Sequence, residues 1–519
     1  MRELAIARTT ADSVVNIVLD TLQRKKQAIV FVGTKKGAEK MADEIAKHVP
    51  EIAANMDMAQ DILGALSKPT KQCERLGRVV HKGIAFHHAG LNPKQKDIIE
   101  EQFRSGGVKV IACTPTLAYG LDLPAFRVVI RDVKRFSQHG MGFIPVLDYL
   151  QMAGRAGRPS FDTFGEAVLV ADNDLEARDL RERYVHGDPE DIYSKLAVEP
   201  VLRTYVLSLI ATRLVKTRAD LVEFFSRTFW AYQFKDMDRL AATLDKMVAL
   251  LQEWQFIEGG SKGGFVAANE IAQGKYAPTL IGSRVAQLYL DPLTAHEMIV
   301  GINRATTKQV IRPFSILHLV CNRLEMRPPL RVGVKEWEIY QGVLAQEGVA
   351  LLEDEPTLYD PEFDEFLGAT KTAKMLDDWM DEKTEDVILE RFNATPGELH
   401  NKLREADWLL YATVELAGLL NHKDVIKDFN RVRFRLEYGV REELLTLLKI
   451  EGVGRVRARK LHDAGIKTIG DVKKVDLTKL TQILGKGVAL SVKKAVGETI
   501  DEPVPEKKRK GQMGLGKYS

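Results

Sequence analysis

The sequence predicts a multidomain protein in which a parallel α/β lobe is followed by mostly α-helical segments. Three observations carry this expectation. Over residues 1–172, short β-branched runs alternate with amphipathic helical stretches, the pattern of a parallel sheet covered on both faces. After Asp172 the β-type runs nearly stop and helical periodicity takes over. Near the carboxyl end, Gly452-Val453-Gly454 and Gly485-Lys486-Gly487 each separate short helical stretches rich in cations.

At 519 residues the chain is too long for one core and suggests about three to five domains. An apolar content of 45% with 28% charged residues is ordinary for a folded protein in water. Cys73, Cys113 and Cys321 are scattered and odd in number, so neither a disulfide framework nor a zinc site is expected, and a reducing, cytoplasmic setting is. The net charge of +3 hides an uneven distribution: residues 431–519 hold 21 Lys and Arg against 11 Asp and Glu, while residues 351–390 hold 14 acidic against 3 basic side chains. The basic end is the candidate for a polyanion, and the acidic stretch is a poor place for a phosphate backbone.

In chain order, residues 11–24 read as an amphipathic helix with Val14, Val15, Val18, Leu19 and Leu22 on one side. Residues 28–32, 84–86, 109–113, 128–130 and 167–170 read as buried strands, with helices over 35–47 and 93–104. Ligands of such sheets meet the loops at the carboxyl ends of the strands, where Gly33-Thr34, His87-His88 and Thr114-Pro115-Thr116 fall. Residues 131–146 have two apolar arms around a Gly-Met-Gly tip and read either as a β-hairpin or as a surface loop. Helices near 199–214, 218–227 and 236–254, then two short strands flanking GGSKGG within 256–268, fit a winged helix that either touches DNA or serves as a packing hub. Residues 281–435 look all-helical. Within them Pro396-Gly397 opens a helix to about Leu420 with Leu399, Leu403, Ala406 and Leu410 as its apolar stripe. Trp408 lies close to that stripe, where a tryptophan is ordinarily a core residue. The two glycine hairpins and their arginines point to DNA phosphate held by backbone N–H groups, with a plain basic helical hairpin as the other reading.

Gln151 to Pro159, QMAGRAGRP, reads as a helix carrying two arginines and broken by a proline. A spacing of three puts Arg155 and Arg158 on one helical face, and the small residues between them let another surface approach. Paired planar cations suit the terminal phosphate of a nucleotide held by another domain, whereas the plain alternative is a solvated helix with two surface arginines.

Upstream stand Val110 to Pro124 (VIACTPTLAYGLDLP), Ile84 to Leu91 (IAFHHAGL) and Ala28 to Ala42 (AIVFVGTKKGAEKMA). In this order the four stretches resemble motifs IV, IVa, V and VI of superfamily 2 helicases. Their wording is close to the superkiller-like branch, particularly its archaeal DNA repair and fork-remodelling helicases. The resemblance covers almost the whole chain. It implies a second RecA-like lobe (1–172), a winged helix (173–280), a helical ratchet domain (281–435), a helix-hairpin-helix DNA-binding domain (436–498) and a disordered tail (499–519). It further implies ATP and Mg2+ as cofactors, with Gln151, Arg155 and Arg158 facing ATP and Gly120 and Asp122 helping at the nucleotide edge. Thr34, Lys35, His88, Thr114 and Thr116 would contact nucleic-acid phosphates, and Phe136, Met141 and Phe143 would form the wedge of a strand-separating hairpin. Trp408 would stack on a base, Gly452, Gly454, Arg455, Arg457 and Arg459 would hold DNA, and movement would run 3′ to 5′. The chain departs from the resemblance at Asn401, where the family has an arginine two turns before the tryptophan. Lys402 and Arg404 read as lying on other faces.

A phosphate cradle needs GxxxxGK[ST], but the three Gly-Lys pairs are followed by Tyr276, Gly487 and Tyr518, and no DExH box occurs. The expectation is therefore the carboxyl-terminal part of an ATP-dependent DNA helicase in repair and fork processing. Such a part would be inactive alone, would be partnered by a first lobe in the intact protein or in trans, would hold ATP and Mg2+ mainly through that lobe, and would act near the nucleoid on single-stranded and forked DNA. Two further classes stay open: a non-catalytic DNA-binding or regulatory protein built from helicase domains, and part of an RNA helicase. At the extreme end, Gln512, Leu515 and Tyr518 resemble a sliding-clamp-binding peptide with Ser519 in place of its second aromatic; a solubilising tail with accidental spacing is the other reading.

Overall fold

Runs such as Ala28–Phe31 (AIVF) and Val110–Cys113 (VIAC) are apolar at every position and need cover on both faces. The computed structural model describes residues 6–497 apart from 53–54, 67, 120–122, 138–139, 159–161, 197 and 260–274, and apart from the side chains of 136–140. In it these runs become β1 (Ala28–Phe31), β2 (Ile84–His87), β3 (Val110–Cys113), β4 (Arg127–Ile130) and β7 (Glu166–Leu169) of one sheet. Its order is β2-β3-β1-β4-β7 and every pairing is parallel, with Ala28 opposite Val110 on one side and Arg127 on the other. Helices α1 (Ser13–Gln23), α2 (Lys35–Lys47), α3 (Met56–Leu63), α4 (Lys71–Val80), α5 (Pro93–Ser105) and α6 (Val146–Ala153) surround it. Local chemistry sets the helix starts: Thr34 accepts from the Gly37 N–H at 3.0 Å, and Asn92 caps α5 with Pro93 in its first turn. Arg127, 1% exposed, is locked by Glu166, Asp20, Thr21 and the Ile17 carbonyl, and so ties α1 to the edge of the sheet. The lobe's core runs past Asp172 to include Leu180 and Tyr184.

Of the two readings for residues 131–146, the hairpin forms. β5 (Lys134–Ser137) pairs antiparallel with β6 (Gly140–Phe143), with Phe136 opposite Met141. Met141 is 68% and Phe143 40% exposed, with Arg183 at 4.3 Å and Lys134 at 4.9 Å from the Phe143 ring centre. The Phe136 side chain, Gly120, Asp122 and the tail with Gln512, Leu515 and Tyr518 lie outside the described residues.

Helices Glu199–Ala211, Arg218–Ser226 and Met237–Glu253 precede β8 (Ile257–Gly259), as the spacing suggests. β8 pairs antiparallel with β9 (Tyr276–Pro278), while the expected second strand up to Ala268 and most of the GGSKGG stretch before it lie outside the described residues. Tyr276 is held in β9 because its N–H donates to the Lys216 carbonyl at 2.6 Å and its ring packs on the core. That core is shared. Among the described residues it forms one cluster from Leu202 to Leu436, and the buried pair Arg203 to Asp291, bonded at 2.6 and 2.9 Å, pins the first of these helices to the helical domain. A separate small core from Val440 to Val496 holds the two glycine hairpins.

The long helix Pro396–Leu419 begins with a capping box between Thr395 and Glu398. Its first turn docks on the lobe, where the Gly397 N–H donates to the Gly90 carbonyl at 3.0 Å and Lys35 Nζ reaches Glu398 Oε1 at 2.5 Å. A Cβ on Gly397 would sit 2.3 Å from the Ala89 carbonyl oxygen and 2.4 Å from that of Leu91, so only glycine permits this approach. Gly397→Ala is therefore expected to destabilise the junction by about 1–3 kcal/mol. Limited proteolysis and thermal melting should show the lobe loosening from the helical core while circular dichroism keeps its helical signal.

Candidate nucleotide and nucleic-acid surfaces

The expected helix through QMAGRAGRP is corrected. α6 stops at Ala153, because the next residues pair with the stretch leading into β4: Ala125 N–H donates to the Arg155 carbonyl at 2.9 Å and Gly157 N–H to the Ala125 carbonyl at 2.7 Å. Arg155 and Arg158 therefore do not share a helical face. Arg155 Nη2 donates to the Ala118 carbonyl at 2.5 Å, binding this segment to the Thr114–Ala118 turn. Arg158 forks onto Asp162 at 2.7 and 3.2 Å and reaches Gln27 Oε1 at 2.7 Å. Gln27 immediately precedes β1, so Arg158 lies at the amino-terminal end of the strands. Gln151, on the last turn of α6, is exposed.

Asp162, whose side chain is 1% exposed, also accepts from Lys26 at 2.6 Å; its bond to Arg158 is the main reason its carboxyl is pushed down to about 2. With both neighbours cationic, that carboxylate is spoken for, and the described residues include no group of three His, Cys, Asp or Glu able to hold a metal ion. This end of the lobe can offer guanidinium to a phosphate. Gln27 and Asp162 were missed in the sequence, although Asp162 stands four residues after Arg158.

The carboxyl-terminal ends of β1, β2 and β3 carry the other group. Thr34 is exposed but spends its hydroxyl oxygen on capping α2. Lys35, Lys36 and Thr34 line a cleft of about 590 Å3 that Thr395 and Glu398 close from the helical domain. Thr114 Oγ1 lies 2.9 Å from Thr116 Oγ1, with Thr116 exposed and Thr114 nearly buried. His88 is 0% exposed: it stacks on Phe86, its Nδ1 accepts from the Gly90 N–H at 3.1 Å, and Glu39 lies 3.3 Å from its Nε2. So enclosed, His88 shapes the loop that receives the long helix and presents no edge to a phosphate. Its neighbour His87 meets Glu100 at 3.0 Å, and burial lowers the His87 pKa.

On the long helix, Trp408 is half-buried and its Nε1 donates to the Leu288 carbonyl at 3.1 Å, which fixes the ring's orientation while leaving part of it open. Asn401 is exposed. Lys402 is buried, its Nζ donating to the Met326 carbonyl at 2.6 Å and to Glu405 at 2.8 Å, so it is no substitute cation. The reading of Arg404 is corrected: in this unbroken helix it precedes Trp408 by four residues and stands beside it.

The glycine hairpin divides its arginines. Gly452 has φ +80 and Gly454 caps the helix Arg455–Asp463. Arg455 lies on the Trp379 ring at 4.3 Å and donates to the Lys383 carbonyl at 3.0 Å; Arg459 grips Glu382 at 2.5 and 2.8 Å and Glu443 at 2.9 Å, and those bonds raise its pKa. Both are spent joining the hairpin domain to the helical domain. Arg457, exposed and folded onto the Gly452 carbonyl at 2.6 Å, is the one of the three that faces solvent.

The Arg158 to Asp162 pair has a pH signature. A depressed carboxyl stabilises the fold above its unfolded value near 3.8 and loses that contribution as pH falls toward about 2. Asp162→Asn should cost on the order of 2 kcal/mol at neutral pH, and the gap from the unaltered chain, read by denaturant titration, should close between these two values.

Three family descriptions match the chain: Helicase conserved C-terminal domain over residues 10–160, Archaeal helicase, domain 4 over 314–439, and SAM-like Helix-hairpin-helix tandem over 444–497. Among curated relatives, a protein of Methanocella arvoryzae named ATP-dependent DNA helicase Hel308 is 39% identical over 516 residues, covering 97% of this chain and 67% of the relative. Proteins of the same name from Pyrococcus horikoshii and Methanococcus vannielii are 35% and 34% identical, covering 96% and 91% of this chain and 67% and 66% of those relatives. The chain thus spans about two thirds of their length. Joined to a parallel lobe, a helical domain with its long docked helix, and a terminal hairpin domain, this similarity places the chain in the Hel308 helicase family.

Proposed function

We propose that the chain forms the second motor lobe and the nucleic-acid-guiding domains of an ATP-dependent 3′ to 5′ DNA helicase that acts on forked and single-stranded DNA in repair. The observation that carries this reading is the division of the lobe. Hydroxyls and lysine stand at the carboxyl ends of β1 and β3, with Thr34 and Lys35 facing the start of the long helix, while Arg158 stands at the opposite end beside Gln27. A motor needs such a separation, because the phosphate of the fuel and the phosphates of the track must be gripped by different surfaces of one rigid body.

In this reading a first lobe, in the same polypeptide or in another, binds ATP and Mg2+, and the nucleotide supplies the free energy of phosphoryl transfer. Arg158 would leave the Asp162 carboxylate for the terminal phosphate, exchanging one anion for another, and Arg155 would hold its segment in place through Ala118. Thr34, Lys35 and Thr116 would grip the DNA backbone, and the exposed part of Trp408 would stack on a base. The hairpin β5–β6 would part the duplex, with exposed Met141 on its second strand. The terminal hairpin domain favours DNA over RNA, and the retained arginines favour a motor over a purely binding protein.

The chain by itself should not hydrolyse ATP when single-stranded DNA is added. Mixed with the first lobe of a relative it should, and Arg158→Ala should then lower turnover about 10³-fold with DNA affinity nearly unchanged; DNA-stimulated turnover by the highly purified chain alone would refute the two-lobe reading. Within the hairpin domain, Arg457→Gln should reduce the salt dependence of DNA binding by about one phosphate's worth. Arg459→Gln should instead lower the melting temperature, because it frees Glu382 and Glu443.

A further inference from the structure

The helix Lys423–Tyr438 buries one side through Val425, Phe429, Val432 and Leu436 and turns the opposite side outward. That outward side carries Lys427, Arg431, Phe434 and Tyr438 at helical spacing. Phe434 is 48% and Tyr438 39% exposed, so two large rings on neighbouring turns stand open to water. Facing them, Leu445, Thr446, Leu448 and Lys449 form a second wall, and the groove between holds about 550 Å3. The helix belongs to the core that ends at Leu436 and the second wall to the core that begins at Val440. One wall therefore comes from the helical domain and the other from the hairpin domain.

Ile426, Leu445 and Leu448 are half-buried, whereas Lys427, Arg431 and Lys449 are exposed, and no carboxylate lines the groove. Arg431 is shared with Asp428 at 3.3 Å and Glu442 at 3.1 Å; Lys427 and Lys449 make no ion pair among the described residues. Such a groove suits an acidic segment with apolar side chains. A nucleic-acid strand suits it less, because an aliphatic wall offers neither donors to phosphate nor a flat face to a base.

The chain itself contains a matching segment. Residues 498–506, ETIDEPVPE, hold four carboxylates, no lysine or arginine, and the apolar pair Ile500 and Val504. They follow directly on Gly497, and Val496 before it packs in the same small core as Leu444 and Leu447. Nine extended residues reach about 30 Å, roughly the whole diameter of a domain of this size. In an extended chain Ile500 and Val504 fall on one side about 13 Å apart, and the helix face from Lys427 to Tyr438 runs about 17 Å.

We propose that residues 498–506 fold back as a strap into this groove, with Ile500 and Val504 against Phe434, Tyr438 and Leu448 and with Asp501, Glu502 and Glu506 facing Lys427, Arg431 and Lys449. The strap touches both walls and so adds a third tie, after Arg455 and Arg459, between the hairpin domain and the helical domain. Pro503 and Pro505 lower the entropy lost on docking, because each fixes φ beforehand.

The test is disulfide trapping in the full chain with oxidised glutathione, read by non-reducing electrophoresis and mass spectrometry. Cys73, Cys113 and Cys321 are buried, so the introduced thiols react alone. Thr446→Cys, on the exposed rim of the groove, is paired with Val504→Cys. Ser491→Cys with Val504→Cys is the comparison, since Ser491 is exposed, lies outside the groove and is nearer in sequence. A docked strap closes the Thr446 pair about tenfold faster than the Ser491 pair, whereas an undocked segment favours the nearer partner or neither. Adding Lys427→Glu and Lys449→Glu should slow the Thr446 pair several-fold, and adding Asp501→Lys with Glu502→Lys to those should restore it. The substituted positions before 498 are all exposed, so melting curves should stay unchanged. Equal rates for the two pairs, or a rate that ignores the charge reversals, would overturn the strap. Cross-links between molecules that rise with protein concentration would put a second copy in the groove and likewise overturn it.

Discussion

One backbone approach organises the molecule. Where Gly397 meets the Ala89–Leu91 loop, the main chains of two domains touch with no room for a side-chain carbon, and a hydrogen bond to Gly90 crosses the gap. The proposed nucleic-acid contacts depend on this seam: it sets the start of the long helix against Thr34 and Lys35 and thus the course of the helix that carries Trp408. Backbone contacts are stiff because no rotamer can absorb a displacement, so the helix direction follows the lobe. His88, enclosed beneath the seam by Phe86 and Glu39, keeps the receiving loop in shape.

The arginines divide into struts and free cations, and composition alone does not sort them. Arg127, Arg203, Arg455 and Arg459 are consumed by carboxylates, carbonyls or a tryptophan ring at places where elements or domains join. Such desolvated guanidinium pairs are costly to break because the partner is left charged and buried. Arg158 is intermediate: held by Asp162 at a partly open site, it can exchange one anion for another without a bare charge at either end. Arg404 and Arg457 remain exposed. The excess positive charge of residues 431–519 therefore overstates what the hairpin domain can present to DNA, since part of it is neutralised against the acidic 351–390 stretch through Glu382.

Several features were determined by the sequence itself. The five strands, the helices over 35–47 and 93–105, the long helix at Pro396 and the glycine hairpins all follow from local patterning: runs apolar at every position, caps at Thr34 and Asn92, and proline or glycine at the boundaries. The family was also legible, since four ordered motifs are a property of residue order. Tertiary structure decided the rest. It ended α6 at Ala153 because Ala125 competes for the backbone of 155–157, paired β8 with Tyr276–Pro278, enclosed His88, and turned Arg455 and Arg459 into interdomain ties. The physical reason is range. A helix or strand is chosen by neighbours a few residues apart, whereas the partner of a charge and the exposure of a ring depend on groups hundreds of positions away, as with Lys35 and Glu398, which meet only when the domains do.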